Sequence, residues 1–164
     1  MIINLKKNII YIDQFKLKCS VGKGGIKKKN KEGDNITPKG LFSIEHLYYR
    51  PDRINSFKSR LETKIIRKNM GWCNDSNSNY YNRLIKITKN FRYYYEKLYR
   101  KDYKYDLMIP ISYNFYKPVK NKGSAIFIHL TKDYKPTEGC IALKKKDFFV
   151  MLNLINKNTK IKIY

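Results

Sequence analysis

The chain has no apolar run long enough to span a membrane, and Met1-Ile2-Ile3-Asn4-Leu5 is broken at once by Lys6 and Lys7, which leaves no signal-peptide core. On sequence alone a cytoplasmic location is expected, with no membrane span. Histidine is nearly missing, with His46 and His129 only, and the three cysteines are Cys19, Cys73 and Cys140. No CxxC pair occurs and the cysteine number is odd, which argues against a disulfide framework and against structural zinc. No metal and no cofactor are expected. Acidic residues are scarce, 13 against 36 Lys and Arg, giving a formal net charge of +23. That balance would suit a polyanion, but no nucleic-acid reader motif accompanies it, so no specific nucleic acid is expected as a partner. The Lys-rich stretch at 22–31 has the composition of a solvated loop. Repeats and low-complexity linkers are absent.

What is present favours a folded globule. Of 164 residues 42% are hydrophobic, and Tyr alone contributes 15, enough for one buried core, so a single domain over 1–164 and a monomer are expected. Short apolar runs separated by turn residues outnumber helical patterns. Ile9–Ile12 and Phe15–Val21 read as paired strands, the second alternating Phe15, Leu17, Cys19 and Val21 on one face. Pro38 and Gly40 shape a turn that leads into a strand through Ile44–Tyr49. Asp106–Ser112, Ser124–Leu130 and Lys160–Tyr164 read as further strands. Asn90–Lys101, with Phe91, Tyr94, Tyr95, Leu98 and Tyr99 at three- and four-residue steps, predicts a helix, as does Lys145–Asn156. The segment 71–79 reads as an irregular loop. The fold class is mainly β, a sandwich or barrel-like domain with one or two short helices.

Two scarce residues stand at the ends of apolar runs. His129 follows Ala125-Ile126-Phe127-Ile128, and Cys140 follows Gly139 and precedes Ile141-Ala142-Leu143. A thiol becomes a useful nucleophile when an imidazole takes its proton and nearby backbone N–H groups receive the developing oxyanion. Cys140, His129 and Gly139 are therefore the candidate catalytic residues. Cys19 and Cys73 read as structural.

The pieces Ile128-His129-Leu130 and Thr137-Glu138-Gly139-Cys140-Ile141-Ala142-Leu143 resemble the signature of the YkuD-like L,D-transpeptidases, which remodel bacterial peptidoglycan. Thr37-Pro38-Lys39-Gly40-Leu41-Phe42 is similar to a turn common in that family. Tyr49-Arg50-Pro51-Asp52-Arg53, Met70-Gly71-Trp72-Cys73-Asn74-Asp75 and Gly123–His129 resemble a single-domain bacterial branch, so the likeness runs over nearly the whole chain. It implies a YkuD-like β fold and a Cys140 thioester with His129 as base, formed on peptidoglycan stem peptides as donor and acceptor. It also implies a periplasmic or cell-wall setting.

Alternatives are an L,D-carboxypeptidase on the same dyad and a basic, non-catalytic module that binds wall polymer or nucleic acid. Arg50, Arg53, Trp72, Tyr113, Thr137 and Glu138 are the candidate substrate contacts. Two positions depart from the family: Glu138 stands where a second His is usual and Ala142 where an Arg is common. Glu138 is expected either to oppose thiolate formation or to bind an amine.

Overall fold

A computed structural model describes residues 1–164. Its strands in chain order are β1 (Ile2–Lys6), β2 (Ile9–Ile12), β3 (Phe15–Ser20), β4 (Ile26–Lys27), β5 (Thr37–Pro38), β6 (Gly40–Ser43), β7 (Leu47–Tyr49) and β8 (Thr63–Ile65). There follow β9 (Met70–Cys73), β10 (Arg83–Lys86), β11 (Tyr95–Lys97), β12 (Leu107–Pro110), β13 (Phe127–Leu130), β14 (Ile141–Leu143) and β15 (Lys160–Ile163), with one helix, α1 (Lys145–Leu154), before the last strand.

Ten strands form one sheet in the order β6-β15-β1-β2-β3-β14-β13-β12-β7-β8. The sheet curls until its beginning meets its far half: Ile44, just past β6, bridges to Ile111, just past β12, and Ser112 donates its backbone N–H to the Ser43 carbonyl at 3.0 Å. The result is a half-barrel whose concave side holds the main core. That core includes Leu5, Ile10, Leu17, Leu107, Ile109, Ile128, Ile141 and Ile161, closed by Phe148, Met151 and Leu152 of α1. The expected pairing of β2 with β3 is present, with Ile10 opposite Leu17.

Strand periodicity decides what lies on the other side of β12, β13 and β14. Ile128 and Leu130 face the main core, so Phe127 and His129 face away from it; Ile141 and Leu143 face the core, so Cys140 and Ala142 face away. On this outer face a second cluster forms from Tyr48, Ile66, Trp72, Leu98, Tyr105, Met108 and Phe127. It is covered by a separate three-stranded sheet in the order β10-β9-β11.

Two expectations are corrected here. Residues 90–101 form no helix: Tyr95–Lys97 is β11, paired antiparallel to β9 with Glu96 opposite Trp72. Tyrosine and phenylalanine favour pleated surfaces, and the long-range partner overrides an accidental helical spacing. The ring that the helix would have buried, Tyr94, is instead 81% exposed. The segment 71–79 is not wholly a loop either, since Met70–Cys73 is the central strand of that small sheet. The helix expected at 145–156 is present as α1.

Candidate active site

β13 and β14 are parallel neighbours, with His129 opposite Ala142. The segment joining them has to return to the strand's starting end, and it does so without a helix, as a loop over residues 131–140. Side chains shape its turn: Thr131 Oγ1 accepts from the Tyr134 N–H at 3.1 Å, and Asp133 Oδ1 accepts from the Lys135 N–H at 3.2 Å. The loop is then tied to the end of β3, where the Thr137 N–H donates to the Val21 carbonyl at 2.9 Å. It delivers Cys140 beside β13, where the thiol meets the backbone of Phe127: the Phe127 N–H donates to Sγ at 3.4 Å and the thiol donates to the Ala125 carbonyl at 3.2 Å.

His129 is 6% exposed and its Nδ1 lies 2.9 Å from the Leu130 carbonyl. A carbonyl can only accept, so Nδ1 carries the proton and Nε2 is left with its lone pair. No hydrogen bond joins the imidazole to the thiol. Burial holds His129 down at about 4, with the positive Lys104 and Arg100 adding to the effect against the Leu130 hydrogen bond. Cys140 is only partly covered, yet enough protein surrounds its sulfur to push the thiol up to about 12. Burial is the main cause, the negative charges of Glu96 and Glu138 add to it, and the Phe127 N–H opposes. Both groups are therefore neutral near pH 7.

Both side chains open into one cleft of about 940 Å³. Its far wall comes from the small sheet and the turn segment leading into β12: Glu96, Arg100 and Tyr105. Tyr105 donates to Glu96, and burial raises both groups above their usual ranges. None of these three was singled out by sequence reasoning, because only the long-range pairing of β11 with β9 brings them to the thiol. Five basic and four acidic side chains line the cleft, so the excess positive charge of the chain is spread elsewhere.

The candidate contacts divide. Thr137 and Glu138 line the cleft, whereas Arg50, Arg53, Trp72 and Tyr113 do not. Arg50, 3% exposed, forks onto Asp52 at 2.7 and 2.6 Å and stacks 3.4 Å over the Tyr99 ring. Arg53 binds Asp106 at 3.0 Å and the carbonyls of Asp102 and Lys101. Both arginines pin the segment carrying Arg100 and Tyr105 rather than facing the cleft. Trp72 lies behind Phe127, ring centroids 5.2 Å apart, and its Nε1 donates to Asn82 Oδ1 at 2.8 Å. The Tyr113 hydroxyl donates to the Lys122 carbonyl. Cys19 and Cys73 are buried. Nowhere in the chain do three His, Cys, Asp or Glu side chains converge as a metal site would need, and no helix is long and apolar enough to cross a membrane.

A thiol just before β14 and an imidazole on the neighbouring β13 thus open into one cleft on the outer face of a curled sheet. The chain belongs to the YkuD family, the L,D-transpeptidase catalytic domain, whose family model matches residues 1–163. That family works on peptidoglycan peptides and is associated with the cell wall. Among solved structures the chain is similar to Bd1075 of Bdellovibrio bacteriovorus, with a TM-score of 0.50 and 15% sequence identity. The match covers 99% of this chain and 47% of that one, so this chain spans about half the length of that relative. At this identity the likeness speaks for the fold. No curated protein matches the chain.

Proposed function

We propose that the protein is an L,D-transpeptidase in which Cys140 is the nucleophile and His129 the general base. The observation that carries the reading is the register of β13 and β14, which turns both side chains to the same outer face and into the same cleft. Neutral His129 presents Nε2 as a proton acceptor, so the S–H turns from the Ala125 carbonyl toward it as sulfur bonds to the substrate carbonyl carbon. The carbonyl joins an L-configured centre to a D-amino acid in a stem peptide. Nε2 then returns the proton to the departing amine, the C–N bond breaks, and a thioester on Cys140 remains. An amine from a second stem attacks the thioester, giving a crosslink and restoring the thiol; attack by water gives a trimmed stem instead. Because both groups rest uncharged, proton transfer accompanies attack rather than preceding it.

The test is direct. Wild-type protein and Cys140→Ala are incubated with a disaccharide tetrapeptide and analysed by mass spectrometry. The wild type is expected to release D-alanine and to form crosslinked dimer, and the variant to do neither. Equal release by Cys140→Ala overturns the nucleophile, and D-alanine release without dimer assigns the carboxypeptidase outcome.

A further inference from the structure

Two threonines from distant parts of the chain, Thr37 buried and Thr137 half-buried, grip the backbone on either side of the thiol. Thr137 Oγ1 accepts from the Gly139 N–H at 3.1 Å and donates to the Cys140 carbonyl at 2.6 Å. The Gly139 N–H, which the sequence offered as an oxyanion donor, is therefore already engaged. Thr37 is fully buried, and its Oγ1 accepts from the Gly22 N–H at 2.8 Å. Its single proton therefore goes to its other partner, the Gly139 carbonyl, also at 2.8 Å.

That carbonyl shares a peptide unit with the Cys140 N–H. In a trans peptide the C=O and the N–H point in opposite directions. Thr37 holds the carbonyl toward the protein interior, so the Cys140 N–H is turned the other way, and it has no hydrogen-bond partner. The backbone needed for this is available only to glycine: Gly139 has φ +137°, and a Cβ there would lie 3.0 Å from the Ile36 carbonyl oxygen and 3.3 Å from Ile126 Cδ1. Gly22 N–H, Thr37 hydroxyl, Gly139 carbonyl and Cys140 N–H thus form one continuous line of dipoles. Each link polarises the next and leaves the terminal N–H a stronger donor than a lone amide.

We infer that Thr37 is a positioning residue for the oxyanion donor, the Cys140 N–H, aiming and polarising it through the Gly139 carbonyl. The inference rests on Cys140 being the acylated nucleophile. When sulfur adds to an acyl carbon, the electron pair of the C=O bond moves onto oxygen, and the aimed N–H receives that charge at its resting position.

The test compares two reactions of the same sulfur. Acylation by p-nitrophenyl acetate passes through an oxyanion: the S–C bond forms, p-nitrophenolate leaves, and the thiol proton goes to His129. Alkylation by iodoacetamide displaces iodide and forms no oxyanion. Thr37→Val is expected to slow acylation of Cys140 by roughly 10- to 100-fold, a partial loss of an oxyanion donor, while alkylation stays within about twofold. Thr37→Ser should restore acylation. Thr37→Ala is the second variant where valine disturbs the packing. Acylation at the wild-type rate in Thr37→Val overturns the inference, and so does parallel loss of both reactions in the valine and alanine variants, which makes Thr37 structural only. A wild-type protein that alkylates at Cys140 but is never acylated there overturns the dyad reading and this one with it.

Discussion

The ring of Tyr105 stands edge-on to the imidazole of His129, centroids 5.4 Å apart, while its hydroxyl donates to the half-buried carboxylate of Glu96. One residue thus fixes the orientation of the base and holds an acid close enough to influence the nucleophile. Burial of Tyr105 and the neighbouring negative charges keep its phenol protonated far above neutral pH, so the contact is unchanged across the working range.

Glu96 is, after burial, the largest influence holding the Cys140 thiol up. Glu96→Gln keeps a hydrogen-bond partner for Tyr105 and removes the charge. The variant is expected to alkylate with iodoacetamide several-fold faster than wild type at pH 8, with the rate profile displaced to lower pH. Superimposable profiles would show that Glu96 does not reach the thiol.

His129 makes stability depend on pH in a definite direction. Its imidazole titrates near 4 when folded and near 6.5 when free. Between those values the unfolded chain binds a proton that the native protein refuses, so stability falls as pH drops from 6.5 to 4 and levels off below. The full effect is about 3 kcal/mol. Urea unfolding of wild type and His129→Gln across this window isolates it: the variant should lose less stability on acidification, and parallel curves would contradict the assignment.

Asn82 joins the small sheet to the thiol. Its Oδ1 accepts from Trp72 Nε1 at 2.8 Å and from the Ala125 N–H at 3.0 Å, and its Nδ2 donates to the Asn114 carbonyl at 2.6 Å. Its backbone is left-handed, φ +54°, which asparagine tolerates better than alanine. Asn82→Ala orphans these groups and the Tyr113 carbonyl, which Nδ2 also reaches at 3.3 Å, and is expected to cost about 3 kcal/mol. The urea midpoint measures this, and a loss under about 1 kcal/mol would mean that water replaces the side chain at little cost.

Local pattern carried part of this structure. The alternation of Leu17 and Cys19, the paired run Ile9–Ile12 and the recurring Phe148, Phe149, Leu152 and Ile155 each state their element within a few residues. That His129 and Cys140 would share one cleft was legible because scarce reactive residues sit beside apolar strands in an order resembling a known family. Glu96, Arg100 and Tyr105 were not, since they reach the cleft only after β11 pairs with β9. Arg50 and Arg53 misled for a related reason. A guanidinium that clamps a substrate carboxylate and one that clamps Asp52 or Asp106 look alike until the partner's position is known.

The position of β15 makes closure of the large sheet depend on long-range pairing. Made from residues 160–163, it lies inside the large sheet, with β6 on one side and β1 on the other. Until those residues have emerged from the ribosome, β6 lacks its full strand partner and β1 exposes a raw hydrogen-bonding edge. The curl that turns Cys140 and His129 outward is thus completed by residues far along the chain from the strands they join. The molecule carries the slow, long-range closure and the transient edge exposure that go with high contact order.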